Sequence, residues 1–182
     1  MSLAGFKAAN HPQQTANRGR NHVDDRGTDI AFFSSIAERF GGFTLDVAAA
    51  AHNAKCEEFF SIEVDGKSLP WRGNVWCNPP YSDCGSWVRK AWEEWNAGSV
   101  DLIVMLLPAN RAEQGWWQDS VEPFRDRPGS ALRTEFIRGR IRFDRFDGWV
   151  PGPKGDRPPF GCVLLIWQRN KRDAAASEGN EA

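Results

Sequence analysis

Tyrosine is almost absent from this chain: one residue, Tyr81, stands among 182, beside nine tryptophans and 12 phenylalanines. Aromatic packing is plentiful while the phenol ring is used once, which draws attention to its neighbours. The four cysteines, Cys56, Cys77, Cys84 and Cys162, form no paired C-x-x-C framework, so a zinc ribbon is excluded and reduced thiols are expected. The histidines, His11, His22 and His52, lack metal-ligand spacing, and no bound metal is expected. No apolar segment approaches the roughly 20 residues needed to cross a bilayer, and no basic stretch followed by an apolar run opens the chain. The expectation is a soluble cytoplasmic protein with no membrane partner. Charge of one sign is missing too: 23 Lys and Arg against 24 Asp and Glu leave a net charge of -1. Any contact with nucleic acid must then come from a local patch. There is no G-x-G-x-x-G fingerprint, helix-turn-helix, zinc finger or internal repeat.

What is present is the composition of one globular domain, 41% hydrophobic and 26% charged. Residues 1–24 are polar with almost no apolar periodicity and read as a flexible arm. Residues 170–182, rich in Ala, Ser and Glu, read as a disordered tail, leaving 25–169 as the folded unit. Within it, Ile30, Phe33, Ile36, Ala37 and Phe40 recur at helical spacing and stop at Gly41-Gly42. Phe43 to Val47 reads as a buried strand. Asn74-Val75-Trp76-Cys77 is a second, halted by two prolines. Trp87, Val88, Ala91, Trp92 and Trp95 predict a helix closed by Gly98. Val100 to Leu107 is a near-continuous apolar run, expected of a central strand covered on both faces. Thr134 to Ile137 and Cys162 to Trp167 complete the strand candidates. Such alternation predicts an α/β layered sheet.

Asn78-Pro79-Pro80-Tyr81, at the end of the second strand, suits chemistry at an amino group on an aromatic ring. The lone pair of such a group is delocalised, and something must localise it. The Asn78 side-chain oxygen and the Pro79 carbonyl can both accept hydrogen bonds from that NH2, shifting electron density toward nitrogen. Pro79 and Pro80 fix the backbone, and Tyr81 offers a stacking face worth about 1–3 kcal/mol to a base. Alternatively, the tetrapeptide is a rigid turn. Asp46, followed by Val47, Ala48 and Ala49, places a carboxylate at a strand end, suited to the ammonium or a ribose hydroxyl of a cofactor that approaches the backbone at Ala48. Asp65 is a second hydroxyl acceptor or simply an Asp-Gly turn. Arg138, Arg140 and Arg142, interleaved with Ile137, Ile141 and Phe143, would share one face of a strand and hold phosphates, or else guard an exposed edge. Arg111, just past a strand end, is a further candidate. The loop 147–159 is rich in Gly and Pro and is either a DNA-contacting element or a surface connection. Trp116-Trp117 reads as packing.

Six blocks in one order carry a specific likeness. They are Phe43 to Ala49; Asn53-Ala54-Lys55-Cys56 with Phe59-Phe60 and Asp65-Gly66; Val75 to Tyr81; Met105 to Ala109; Phe136 to Arg140; and Pro159-Phe160. Over about residues 25–167 the chain resembles the phage and prophage DNA N6-adenine methyltransferases of the Dam type. The resemblance implies an abbreviated Rossmann-like methyltransferase sheet with flanking helices and S-adenosyl-L-methionine as donor. It implies adenine in double-stranded DNA, flipped out of the stack, as acceptor. The setting would be the cytoplasm of a phage-infected or lysogenic bacterium, and a monomer is the simplest state. Asn78, Pro79, Pro80 and Tyr81 would form the catalytic loop. Thr28, Asp46, Ala48 and Asp65 would meet the cofactor, and Arg111, Arg138, Arg140 and Arg142 the DNA. The chain departs from the pattern at Thr28-Asp29, where the family has Thr-Pro, and at Pro70, where an acidic residue often precedes Trp71. About thirty residues between Asp46 and Asn78 leave little room for intervening helices, so the fold should be abbreviated there. Methyltransferases of release-factor glutamine amides share the tetrapeptide, and a decayed DNA-binding relative is the non-enzymatic alternative.

Overall fold

The computed structural model describes residues 27–144 and 158–169. The expected arm (1–24), the expected tail (170–182) and most of the loop 147–159 lie outside the described residues.

Six strands form the central sheet: β2 (Leu45–Asp46), β3 (Glu58–Phe59), β4 (Gly73–Cys77), β5 (Val100–Pro108), β6 (Leu132–Phe136) and β8 (Cys162–Gln168), in the order β3-β2-β4-β5-β8-β6. β3, β2, β4 and β5 run parallel, and only β8 opposes its neighbours. A separate ladder joins β1 (Gly27–Thr28) to β7 (Phe143–Asp144). Three helices flank the sheet: α1 (Ile30–Phe40), α2 (Cys84–Ala97) and α3 (Gly115–Ser120). The expected mixed α/β sheet is present.

The two-residue period of the strands sorts the core into two halves. On one face Val75, Cys77, Ile103, Met105, Leu107, Val163 and Leu165 pack with Trp87, Val88 and Ala91 of α2 and Trp117 of α3. On the other, Trp76, Leu102, Val104, Leu106, Leu164 and Ile166 pack with Phe33 and Ile36 of α1 and with Ile141 and Phe143. Covered on both sides, β5 reads as the continuous apolar run the sequence displays.

Local chemistry sets the ends of α1. Asp29 Oδ1 accepts a hydrogen bond from Phe32 N (2.9 Å), so the residue that replaces the family's proline is a working N-cap. Gly41 closes the helix in the left-handed conformation. Pro70 has a comparable explanation. The acid near Trp71 comes from α2: Glu94 Oε2, 7% exposed as a residue, accepts from Trp71 N at 2.9 Å.

Two readings need correction. The strand expected over Phe43 to Val47 is limited to Leu45–Asp46, although Thr44 N and Val47 N still bond to Asn74 O and Trp76 O beside it. Arg138 to Arg142 is not a strand. β6 ends at Phe136, and Gly139, with φ 79°, bends the chain there. The alternation is nevertheless expressed as burial, with Arg140 and Arg142 exposed and Ile141 and Phe143 buried.

Candidate active site

The chain leaves β2 toward β3, then crosses back to β4 and departs through α2 to β5, on the opposite side. Connections therefore diverge between β2 and β4, and the crevice outside the carboxyl ends of such strands is where α/β sheets bind ligands. Asp46 ends β2, and Asn78 follows Cys77 at the end of β4. With Asp46 paired to Trp76 in register, the acid and the loop are neighbours across the divergence.

Asp46 is 3% exposed, and each carboxylate oxygen holds a backbone N–H: Oδ1 that of Ala48 (3.3 Å), Oδ2 that of Lys55 (3.0 Å). These bonds draw residues 47–55 into a knot over the strand end, with Asn53 Oδ1 accepting from Ala50 N at 2.7 Å. Burial raises the Asp46 carboxyl from 3.8 to about 6, against the lowering effect of the two N–H groups and of Lys55. The Asp65-Gly66 turn presses on the same strand end. A Cβ on Gly66 would sit 2.1 Å from Val47 O, so only glycine allows that approach. Asp65 itself is exposed, has φ 47°, and accepts from Lys67 N (3.2 Å), which is turn geometry.

Pro79 is buried, while Asn78, Pro80 and Tyr81 are half-buried. Tyr81 packs between both core halves. Phe143 and Phe160 meet its ring in T-shaped contacts, at centroid distances of 6.1 and 5.9 Å, and its hydroxyl is buried near the Cys162 thiol. Burial holds that phenol well above its ordinary value, so it stays protonated. The thiols of Cys56 and Cys162 are pushed up to about 12 by burial, and that of Cys77 also rises. None of the three supplies a thiolate nucleophile at neutral pH.

Thr28 reaches the same region through a long-range pairing. It is 2% exposed and registers with Phe143, the ring that leans on Tyr81. Its buried Oγ1 has no hydrogen-bond partner among the described residues. Tyr81 also borders a cleft of about 330 Å³ lined by Ser82, Arg89, Arg111, Gln114 and Trp116. Arg138, Arg140 and Arg142 are exposed beyond β6 at this same end of the sheet, since Ile137 N bonds Cys162 O at the start of β8. The structure thus links Asp46 and Ala48 to the loop through the β2–β4 pairing, Thr28 through Phe143 and Arg111 through the cleft, with the three arginines at the same end of the sheet. Arg89, Trp116, Phe143 and Phe160 line the site without having been singled out as site residues from the sequence. Only Phe160 carried a signal, as part of the Pro159-Phe160 block.

The family model described as DNA N-6-adenine-methyltransferase (Dam) matches residues 16–179. The chain belongs to that family. A protein of Escherichia phage T1 named DNA N-6-adenine-methyltransferase is 38% identical over 84 residues, which cover 45% of this chain and 34% of the relative. The chain thus spans about a third of that relative's length. Among solved structures, a Pyrococcus horikoshii protein described as an RNA methyltransferase aligns with TM-score 0.43 at 11% identity, covering 75% of this chain and 79% of the other. A Thermoplasma acidophilum protein described as a methyltransferase aligns with TM-score 0.38 at 15% identity, covering 80% and 66%. No described helix is long and apolar enough to cross a membrane, and no metal-binding group of His, Cys, Asp and Glu occurs among the described residues.

Proposed function

We propose that this chain, acting as a monomer, methylates the exocyclic N6 of adenine flipped out of double-stranded DNA, with S-adenosyl-L-methionine as donor. The observation that carries the reading is the pairing of Asp46 with Trp76, which sets a buried acid beside the Asn78-Pro79-Pro80-Tyr81 loop at the divergence of the sheet.

The residues present fit the donor. Asp46 supplies a carboxylate for its ammonium, the backbone at Ala48 a close approach, and Thr28 Oγ1 a buried hydroxyl with unused bonding capacity. Asp65 lies on the turn against Val47 and is assigned to the ribose. When bound, the donor supplies an electrophilic methyl on a sulfonium. The chain's part is orientation. Asn78 and the Pro79 carbonyl accept the two amine hydrogens, localise the lone pair and aim it in line. No strong base is needed, because the nitrogen is acidic once it has become cationic. Tyr81 offers its face to the base, held in place by Phe143 and Phe160. Arg111, with Arg138, Arg140 and Arg142, meets phosphates.

Incubation with methyl-labelled donor, DNA and a bacterial protein extract tests the acceptor class. Label in the DNA fraction supports the proposal. Label confined to protein would replace it with an amide methyltransferase.

A further inference from the structure

Lys55 is a cation set into the knot around Asp46. Its backbone N–H donates to Asp46 Oδ2, which fixes where the residue starts, and its side chain is 9% exposed. Its ammonium faces Asp144 Oδ2 at 3.9 Å, and Asp144 is 42% exposed. Charge-assisted N–H···O bonds span about 2.7–2.9 Å, so Asp144 engages none of the three donors at that distance. An ammonium has three donors, and one held this loosely keeps them available to a second anion.

The opposite side of the gap is the β1–β7 ladder. Asp144 pairs with Gly27, and the next rung joins Phe143 to Thr28. Successive residues of a strand face opposite ways, so Asp144 turns to Lys55 while Phe143 and Thr28 share the other face. Beside Lys55 lies the buried carboxylate of Asp46, and a pattern of one acid and one cation complements a zwitterion.

We infer that Lys55 receives the carboxylate of the donor's amino-acid end, while Asp46 receives its ammonium. The inference rests on the donor proposed above and adds the group that recognises its acid. Asp144 holds Lys55 in place until the ligand carboxylate displaces it as the better partner. A DNA phosphate fits less well, because the Lys55 side chain is nearly buried at the end of β2, across β4 from the arginine-lined cleft.

Calorimetric binding of S-adenosylmethionine and of its decarboxylated form, without DNA, separates the alternatives. The two ligands share the sulfonium and the ammonium and differ only in the carboxylate. Wild type is expected to prefer the carboxylated form by about 10–100-fold, the worth of a charge-assisted hydrogen bond. Lys55→Met erases the preference by weakening that ligand alone, Lys55→Arg restores part of it, and Asp144→Asn leaves it in place. Equal binding of both forms by wild type overturns the inference without any variant, as does equal weakening of both by Lys55→Met. Loss of DNA affinity in Lys55→Met with the preference intact assigns the residue to phosphate and overturns it too. Binding of neither form by wild type sinks the donor reading itself.

Discussion

Phe143 and Tyr81 meet in a T-shaped contact with ring centroids 6.1 Å apart and planes at 85°. The contact joins residues 62 positions apart in sequence, and Phe143 is held by its pairing with Thr28 in the β1–β7 ladder. The tyrosine of the loop is thus contacted from the β1–β7 ladder. Its hydroxyl is buried and stays protonated, which leaves the ring as the part of the side chain suited to a base.

Removing the hydroxyl alone should accordingly matter little. Tyr81→Phe is expected to keep methyl transfer within a few-fold of wild type. Tyr81→Ala removes the stacking face, worth about 1–3 kcal/mol, and should weaken capture of the flipped base by about 10–100-fold. Fluorescence of 2-aminopurine at the target position would show the difference, and equal losses in both variants would assign the role to the hydroxyl.

The Asp46 carboxyl, raised to about 6 by burial, gives donor binding a defined pH dependence. Because its folded value lies above the ordinary 3.8, the group costs stability when ionised, at pH above about 6. The cost is relieved as pH falls from there toward 3.8. Ammonium binding needs the ionised form, so affinity for S-adenosylhomocysteine should be flat above pH 7 and fall by up to about tenfold per pH unit below 6. Asp46→Asn should bind weakly at every pH. A wild-type profile level down to pH 5 would remove Asp46 from the cofactor contacts.

Glu94 accounts for the missing acid before Trp71, and its worth is structural. Glu94→Leu leaves the Trp71 N–H without its acceptor and Lys90, its ion-pair partner on α2, unpaired. The expected loss is about 3 kcal/mol, read as a lower midpoint in urea. A change under 1 kcal/mol would show that water replaces the carboxylate.

Much of this architecture was legible in the sequence where periodicity is strong. α1 with its glycine stop, α2 up to Gly98, and the buried runs of β5 and β8 all follow from apolar spacing and termination chemistry. What escaped is long-range or short. Two-residue strands such as β1, β3 and β7 carry no period, and the pairing of Thr28 with Phe143 has no local trace. The arginine segment misled because alternation is the signature of a strand, whereas Gly139 bends the chain and lets the same pattern form without ladder bonds. Within the site, Asn78 to Tyr81 and Asp46 stood out because their residue types suit a specific chemistry. Arg89 and Trp116 did not, since an arginine or a tryptophan on a helix is ordinary until the fold turns it toward a cleft.

That cleft yields a test on DNA affinity. Arg111→Ala and Arg89→Ala, alone and together, should weaken binding of duplex DNA and lower the slope of log affinity against log salt by about 1 for each phosphate that is no longer neutralised. Arg138→Ala should do likewise if the rim carries phosphate. Unchanged slopes would place the DNA elsewhere.

The central claim is that the Asn78 loop transfers methyl to adenine N6. Nucleoside analysis of unmethylated DNA, after incubation with labelled S-adenosylmethionine and either wild type or Asn78→Ala, tests it most directly. The account predicts labelled N6-methyldeoxyadenosine from wild type and a drop of about 10²–10³-fold in the folded variant, the cost of deleting one polar group that stabilises a transition state. Label on another base, or equal label from the variant, would contradict it.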